Sequence, residues 1–181
     1  MLEIINNLSP FFEDCYREYS VREYSRKINI SPPTASKILK DFSKEGLLKM
    51  RVERGFILFR VNRESEIMKS MAIVYWKEKL KDLFDFINDE FNANSMILFG
   101  SLVKLECKPD SDIDIAIITK GKKKIDLTKF EKKLEREIQI FLFESIEKIN
   151  KDLKDNIVSA LEATVTKDKL EELKKASNSG I

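Results

Sequence analysis

Two stretches of this chain hold residues whose types and spacing could do chemistry: Leu98-Phe99-Gly100-Ser101 and, ten residues further on, Asp112-Ile113-Asp114. The first closes a short apolar run, Met96 to Phe99, and the second opens another that continues to Ile118; both read as strands. Strand alternation puts the Asp112 and Asp114 carboxylates on one face, about 7 Å apart along the chain. Carboxylates so placed repel each other unless a cation lies between them. Oxygen ligands with no His or Cys nearby suit Mg²⁺, which takes carboxylates together with substrate phosphates. Gly100 omits a side chain where backbone must approach a phosphate, and Ser101 adds a hydroxyl and an amide at the start of the next turn. A phosphate cradle ahead of paired carboxylates is the equipment for metal-assisted phosphoryl or nucleotidyl transfer. The plainer alternative is a loop glycine and two surface acids, but acids heading an apolar strand need a partner.

Composition narrows the field. The 181 residues contain no histidine, which removes Ser-His-Asp and Cys-His nucleophile systems, histidine bases and His-ligated zinc. Cys15 and Cys107 lie far apart without a CxxC spacing and read as reduced thiols. No apolar run approaches the roughly 20 residues of a membrane span, and the N-terminus lacks a basic stretch followed by an apolar one. The expectation is a cytoplasmic protein with no membrane partner. The bias toward Lys, Glu and Ile fits a thermophile or an AT-rich genome equally.

The first third carries a different pattern. Residues 2–13 form a helical stretch on Leu2, Ile5, Leu8 and Phe12, which Pro10 is expected to end early. Ser20 and Glu23 have capping-box spacing for a helix with Val21, Tyr24 and Ile28 on its buried stripe. After a turn at Asn29-Ile30, Ser31 caps a second helix that starts with Pro32-Pro33, buries Ala35, Ile38, Leu39 and Phe42, and ends at Gly46. Leu47–Val52 and Phe56–Val61 then read as strands around Glu53-Arg54-Gly55. Residues 20–63 hold eleven Lys or Arg against four acids, an excess of seven that suits a polyanion.

This order of helix, turn, helix and basic hairpin resembles the small winged helix-turn-helix regulators of bacteria and archaea, over roughly residues 10–63. The resemblance implies that the second helix enters the major groove of duplex DNA with Thr34, Ser36, Lys37, Lys40 and Lys44 exposed. It also implies that Arg51 and Arg54 reach the backbone or minor groove. The competing role is a protein-interaction or dimerisation module. Residues 64–91 are helical, as one helix or two joined near Trp76, and the run Met71–Trp76 is either core or a homodimer seam. The domains so read are 1–63, a linker helix at 64–76, and 77–181, with an α+β architecture and a short mixed sheet in the last.

The two chemical stretches resemble the polymerase-β nucleotidyltransferase superfamily in its minimal form, over roughly residues 77–165. The resemblance implies that Asp112 and Asp114 hold two Mg²⁺ ions and that Gly100, Ser101 and Lys104 hold the triphosphate of an NTP. It further implies a third carboxylate on the following strand, to complete the metal site and activate the attacking hydroxyl. On that strand, after a helix at 127–135, Gln139 falls where the acid is expected. Its amide oxygen can meet a metal but cannot take a proton. Glu137, two residues earlier, is the substitute at longer reach. Leu105 stands where these enzymes usually carry glycine. Lys120, Lys122, Lys123 and Lys124 are read as a solvated loop, with contact to phosphates or an acidic partner as the alternative, residues 145–163 and 167–176 as helices, and 177–181 as a frayed tail. Small relatives of the family pair with helical partner proteins in toxin–antitoxin modules, which makes such a partner an implication of the resemblance. Two functions therefore compete: an NTP-dependent transferase attached to a DNA-binding domain, and a non-enzymatic regulator whose degenerate transferase domain senses a nucleotide or mediates assembly.

Overall fold

The computed structural model describes residues 3–91, 93, 95–121, 123–145 and 149. Helix α1 (Glu3–Glu13) buries Ile5, Leu8, Phe11 and Phe12 and runs straight through Pro10, against the expectation of an early end. Pro10 has no amide to bond the Asn6 carbonyl, and the Ser9 hydroxyl supplies that bond instead, at 2.7 Å. A two-residue strand β1 (Tyr19–Ser20) follows, too short to leave a periodic signal.

Helix α2 (Val21–Lys27) starts on a complete Ser20–Glu23 capping box. Asn29, with φ of 56°, turns the chain toward α3 (Pro32–Lys44), which is capped by Ser31 and buries Ala35, Leu39 and Phe42. Ile38 is only partly buried. Gly46, at φ +73°, sits just past the α3 cap as the left-handed exit residue. Strands β2 (Leu48–Glu53) and β3 (Phe56–Val61) form an antiparallel hairpin, and β1 pairs with the other edge of β3, giving the order β1-β3-β2. The hairpin turn is the pair Arg54-Gly55, with both residues at positive φ, so Glu53 belongs to the strand.

Helix α4 (Glu66–Lys79) packs on α1 on one side and on the turn after Gly100 on the other. Met68, Ala72, Ile73, Tyr75 and Trp76 are buried, whereas Ile67 and Val74 are exposed. The break before α5 (Lys81–Phe91) falls at buried Leu80, four residues beyond the expected join at Trp76. The Leu80 amide still bonds the Trp76 carbonyl, so Trp76 lies within an intact last turn.

The second sheet has the order β4-β5-β6, formed by β4 (Ser95–Phe99), β5 (Ile113–Ile118) and β6 (Ile138–Phe143). Strands β4 and β5 are antiparallel and β5 and β6 are parallel, so the sheet is mixed and the chain as a whole is α+β. Ser95 belongs to β4 instead of the preceding loop, and Asp112 and Glu137 lie just ahead of their strands. Helix α6 (Thr128–Leu134) makes the parallel crossover and is held to α5 by the Phe86–Phe130 ring contact and the Lys133–Asp82 ion pair. One contiguous core spans both sheets. No helix among the described residues is long and apolar enough to cross a membrane. The expected helices from 145 onward, the tail 177–181, Leu2 and Lys122 lie outside the described residues.

Candidate active site

The site is assembled where three strands bring their functional ends together. In register, Asp114 of β5 stands between Phe99 of β4 and Gln139 of β6. Gly100 follows Phe99 directly and turns the chain at φ +78°. A Cβ built on Gly100 would lie 2.2 Å from Asp114 Oδ2, so the Asp114 carboxylate occupies the space that a side chain there would fill. Close approach to a phosphate was the reason the sequence offered for this glycine. The structure adds another, which is room for the second aspartate of the motif.

Asp112 is bonded from the neighbouring strand: Gln139 Nε2 donates to its Oδ2 at 2.6 Å. Burial, and after it the Asp112 charge, push the Asp114 carboxyl above the ordinary aspartate range. This is the electrostatic state of a carboxylate pair that a cation would relieve. The donor set is hard oxygen throughout, which fits a divalent cation such as Mg²⁺. No cluster of three or more His, Cys, Asp or Glu able to hold a metal is present among the described residues. Glu137 is exposed at the foot of β6 and contributes its backbone, its carbonyl accepting the Ile113 amide at 2.9 Å.

The turn after Gly100 is a single 3₁₀ turn, Gly100–Leu102, too short to act through a helix dipole. A phosphate there would have to be met by individual donors. Ser101 is half-buried, and its carbonyl accepts the Glu106 amide at 3.0 Å. Lys104 is half-buried two residues past the turn. Leu105, where the resemblance expects glycine, does adopt a left-handed backbone, at φ 56°, and is fully buried. The conformation costs a leucine about 1–2 kcal/mol, which its burial offsets.

Arg136 is a residue that the sequence did not single out. Its guanidinium donates to the carbonyls of Lys108 (2.7 Å) and Ser111 (2.6 Å), in the loop that delivers Asp112. It also donates to the carbonyl of Glu13, at the end of α1 (3.1 Å), and lies over the Trp76 ring. A charged residue next to a left-handed helix exit at Glu135 carries no such signal in sequence. Cys107 and Cys15 meet at the same junction, the Cys15 amide bonding the Cys107 carbonyl at 2.8 Å. Both thiols are free, and burial, with Cys107 adding to it, pushes Cys15 up to about 12.

In the first half, Lys37, Lys40 and Lys44 on α3 and Arg54 in the hairpin turn are exposed. None of the four has an ion-pair partner among the described residues. Arg51 differs, being held by Glu18 and Glu53. The Thr34 hydroxyl shares a hydrogen bond with Ser31 in the α3 cap, and Ser36 is half-buried. Lys49 pairs with Glu64 and Arg63 with Glu106. Three acids outside residues 20–63 thus take up part of the charge excess counted there, and the cations without an ion pair among the described residues are spread over α2, α3, the turn and Arg60.

No curated protein and no solved structure matches the chain. Residues 78–170, half of the chain, match the family described as "Polymerase beta, Nucleotidyltransferase", and that match begins at the end of α4 and takes in the Gly100 turn, both aspartates and Gln139. The chain belongs to the polymerase-β nucleotidyltransferase family.

Proposed function

We propose that this chain is a Mg²⁺-dependent nucleotidyltransferase that moves a nucleoside monophosphate from an NTP to a hydroxyl. The observation that carries the reading is the fit of the Asp114 carboxylate into the space left by Gly100, beside Asp112. Asp112 and Asp114 hold the metal, in a two-metal arrangement, and Gly100, Ser101 and Lys104 receive the triphosphate. The metal, when bound, neutralises phosphate charge and polarises the phosphoryl oxygens. The Gln139 amide oxygen would be available as a further ligand to a cation bound beside Asp112. It cannot accept the proton of the attacking hydroxyl, so transfer is slow.

The first half is a DNA-binding winged helix over residues 1–63, with 64–76 as the connecting helix and 77–181 as the transferase. The order β1-α2-α3-β2-β3 and the unpaired cations on α3 and the hairpin turn support this. Lys37, Lys40, Lys44 and Arg54 contact phosphates, Thr34 and Ser36 stand near base edges, and Arg51 must leave its two glutamates to take part. The protein works in the cytoplasm, and a helical toxin–antitoxin partner or a second copy of the chain are its protein partners.

One observation favours the second reading, a non-enzymatic regulator: Gln139, an amide that cannot act as a base, is the side chain bonded to Asp112 from the neighbouring strand. Incubation with labelled NTP, Mg²⁺ and candidate acceptors separates the two. Label transfer by the wild type that disappears in Asp112→Ala/Asp114→Ala supports the enzyme. No transfer to any acceptor, with nucleotide binding retained, supports the regulator.

A further inference from the structure

Away from the aspartate pair, a second cavity has a lining that points to a ligand. It lies where the foot of the β2–β3 hairpin meets the segment after α1 and has a volume of about 370 Å³. That falls in the range of small-molecule sites. Tyr16, Lys49, Arg60, Arg63 and Glu64 supply its polar and aromatic wall. Lys49 and Arg60 are cross-strand partners, so their side chains leave the sheet on the same face. Three cations against one carboxylate leave the lining two positive charges in excess, the charge that a phosphate dianion matches.

The cations are only loosely committed. Lys49 pairs with an exposed Glu64 and Arg63 with Glu106 at 3.5 Å, contacts of the kind worth about 1 kcal/mol or less. Arg60 has no ion pair among the described residues, and Arg63 Nε has no acceptor there. Tyr16 is 48% exposed, with the Arg63 guanidinium 4.5 Å and the Lys108 ammonium 5.5 Å from its ring centre. The part of the ring that these cations leave exposed is the surface open to a nucleobase.

We propose that this cavity binds a nucleotide through its phosphate and base, either as a free nucleoside monophosphate or as the phosphorylated end of a nucleic-acid strand. Arg60, Arg63 and Lys49 take the phosphate and Tyr16 takes the base. Glu106 links the cavity to the transferase turn: its carboxylate meets Arg63 while its amide bonds Ser101. The cavity shares no residue with the aspartate pair, so its fate is read separately from that of the transferase.

Isothermal titration of the full chain in EDTA, which silences metal-dependent nucleotide binding at the aspartates, tests the proposal. The probes are AMP, adenosine, inorganic phosphate, and a short single strand with and without a 5′-phosphate. AMP binds, adenosine binds at least roughly tenfold more weakly, and Arg60→Ala weakens AMP and phosphate by roughly tenfold or more, as removal of a charge-assisted hydrogen bond requires. Tyr16→Ala weakens AMP while leaving inorganic phosphate within a few-fold, and Asp112→Asn changes neither. Phosphate-dependent binding of the strand, as tight as AMP or tighter, assigns the site to strand ends, and binding of AMP alone assigns it to free nucleotide. Binding that ignores both Arg60→Ala and the phosphate, that vanishes in Asp112→Asn, or that is absent for AMP and the phosphorylated strand alike overturns the proposal.

Discussion

Gly100 and Asp114 divide one volume between them, and a substitution at either reports on both. In Gly100→Ala the new methyl group displaces the Asp114 carboxylate, and a non-glycine residue at φ +78° adds about 1–2 kcal/mol of backbone strain. The expected result is a modest fall in stability together with complete loss of the melting-temperature rise that Mg·NTP gives the wild type. A retained rise would place nucleotide elsewhere. Gln139 is the complementary case, a polar residue in register with Asp114 and bonded to Asp112. Gln139→Asp replaces the amide donor by a third carboxylate and should raise turnover by about a hundredfold or more, the usual worth of general-base help. NTP affinity should stay within a few-fold. Unchanged turnover in single-turnover assays, with Glu137→Gln abolishing a robust wild-type rate, would move the third acid to Glu137.

At the scale of elements, α3 and the hairpin turn present four exposed cations, Lys37, Lys40, Lys44 and Arg54, with no ion pair among the described residues. Lys37→Ala/Lys40→Ala/Arg54→Ala should weaken duplex DNA binding for all sequences and flatten its salt dependence, by about one unit of log–log slope for each phosphate no longer neutralised. Fluorescence anisotropy over a salt series measures both, and a slope unchanged by the triple substitution would remove this face from the DNA reading. Arg136 acts between elements. It ties the loop ahead of Asp112 to the end of α1 through three carbonyls. Arg136→Ala removes three charge-assisted hydrogen bonds, although Lys108 O keeps the Ser111 amide and Glu13 O keeps the Cys107 thiol, and should cost about 2–4 kcal/mol in urea unfolding. Arg136→Lys should recover only part of this, since an ammonium lacks the planar fork that reaches three acceptors. Full recovery by lysine would mean that charge over Trp76, and not the fork, is what matters.

For the whole molecule, the junction among α1, α4 and the loop 107–111 makes one core out of two sheets. Glu13 lies at its centre, accepting hydrogen bonds from Lys79 and Tyr75. Burial alone would raise the Glu13 carboxyl, but those hydrogen bonds and the Lys79 charge outweigh it and hold the group below the ordinary glutamate range. A carboxyl depressed by folding stabilises the protein above its unfolded pKa, and the gain is lost as pH falls through the folded value. Glu13→Gln should therefore lower the melting temperature at neutral pH, and the deficit should shrink at a pH below the ordinary glutamate range. An equal deficit at both pH values would trace the loss to packing instead of charge.

Local rules were enough for much of this architecture. Capping at Ser20 and Ser31, the exit at Gly46, the hairpin around Arg54-Gly55, and the spacing from Gly100-Ser101 to Asp112 and Asp114 are encoded within a few residues of each feature. Each is therefore legible without knowledge of the fold. The helix through Pro10 needed the Ser9 hydroxyl, and the bend at Leu80 needed the core around it, so pattern alone misplaced both. The register of Gln139 against Asp114, the carboxylate filling the space beside Gly100, and the Arg136 bridge join residues distant in sequence. So do the neutralisation of Arg51 and the cavity around Tyr16 and Arg60. Sheet pairing and helix packing bring these groups within bonding reach, and no periodicity along the chain encodes a distance across it.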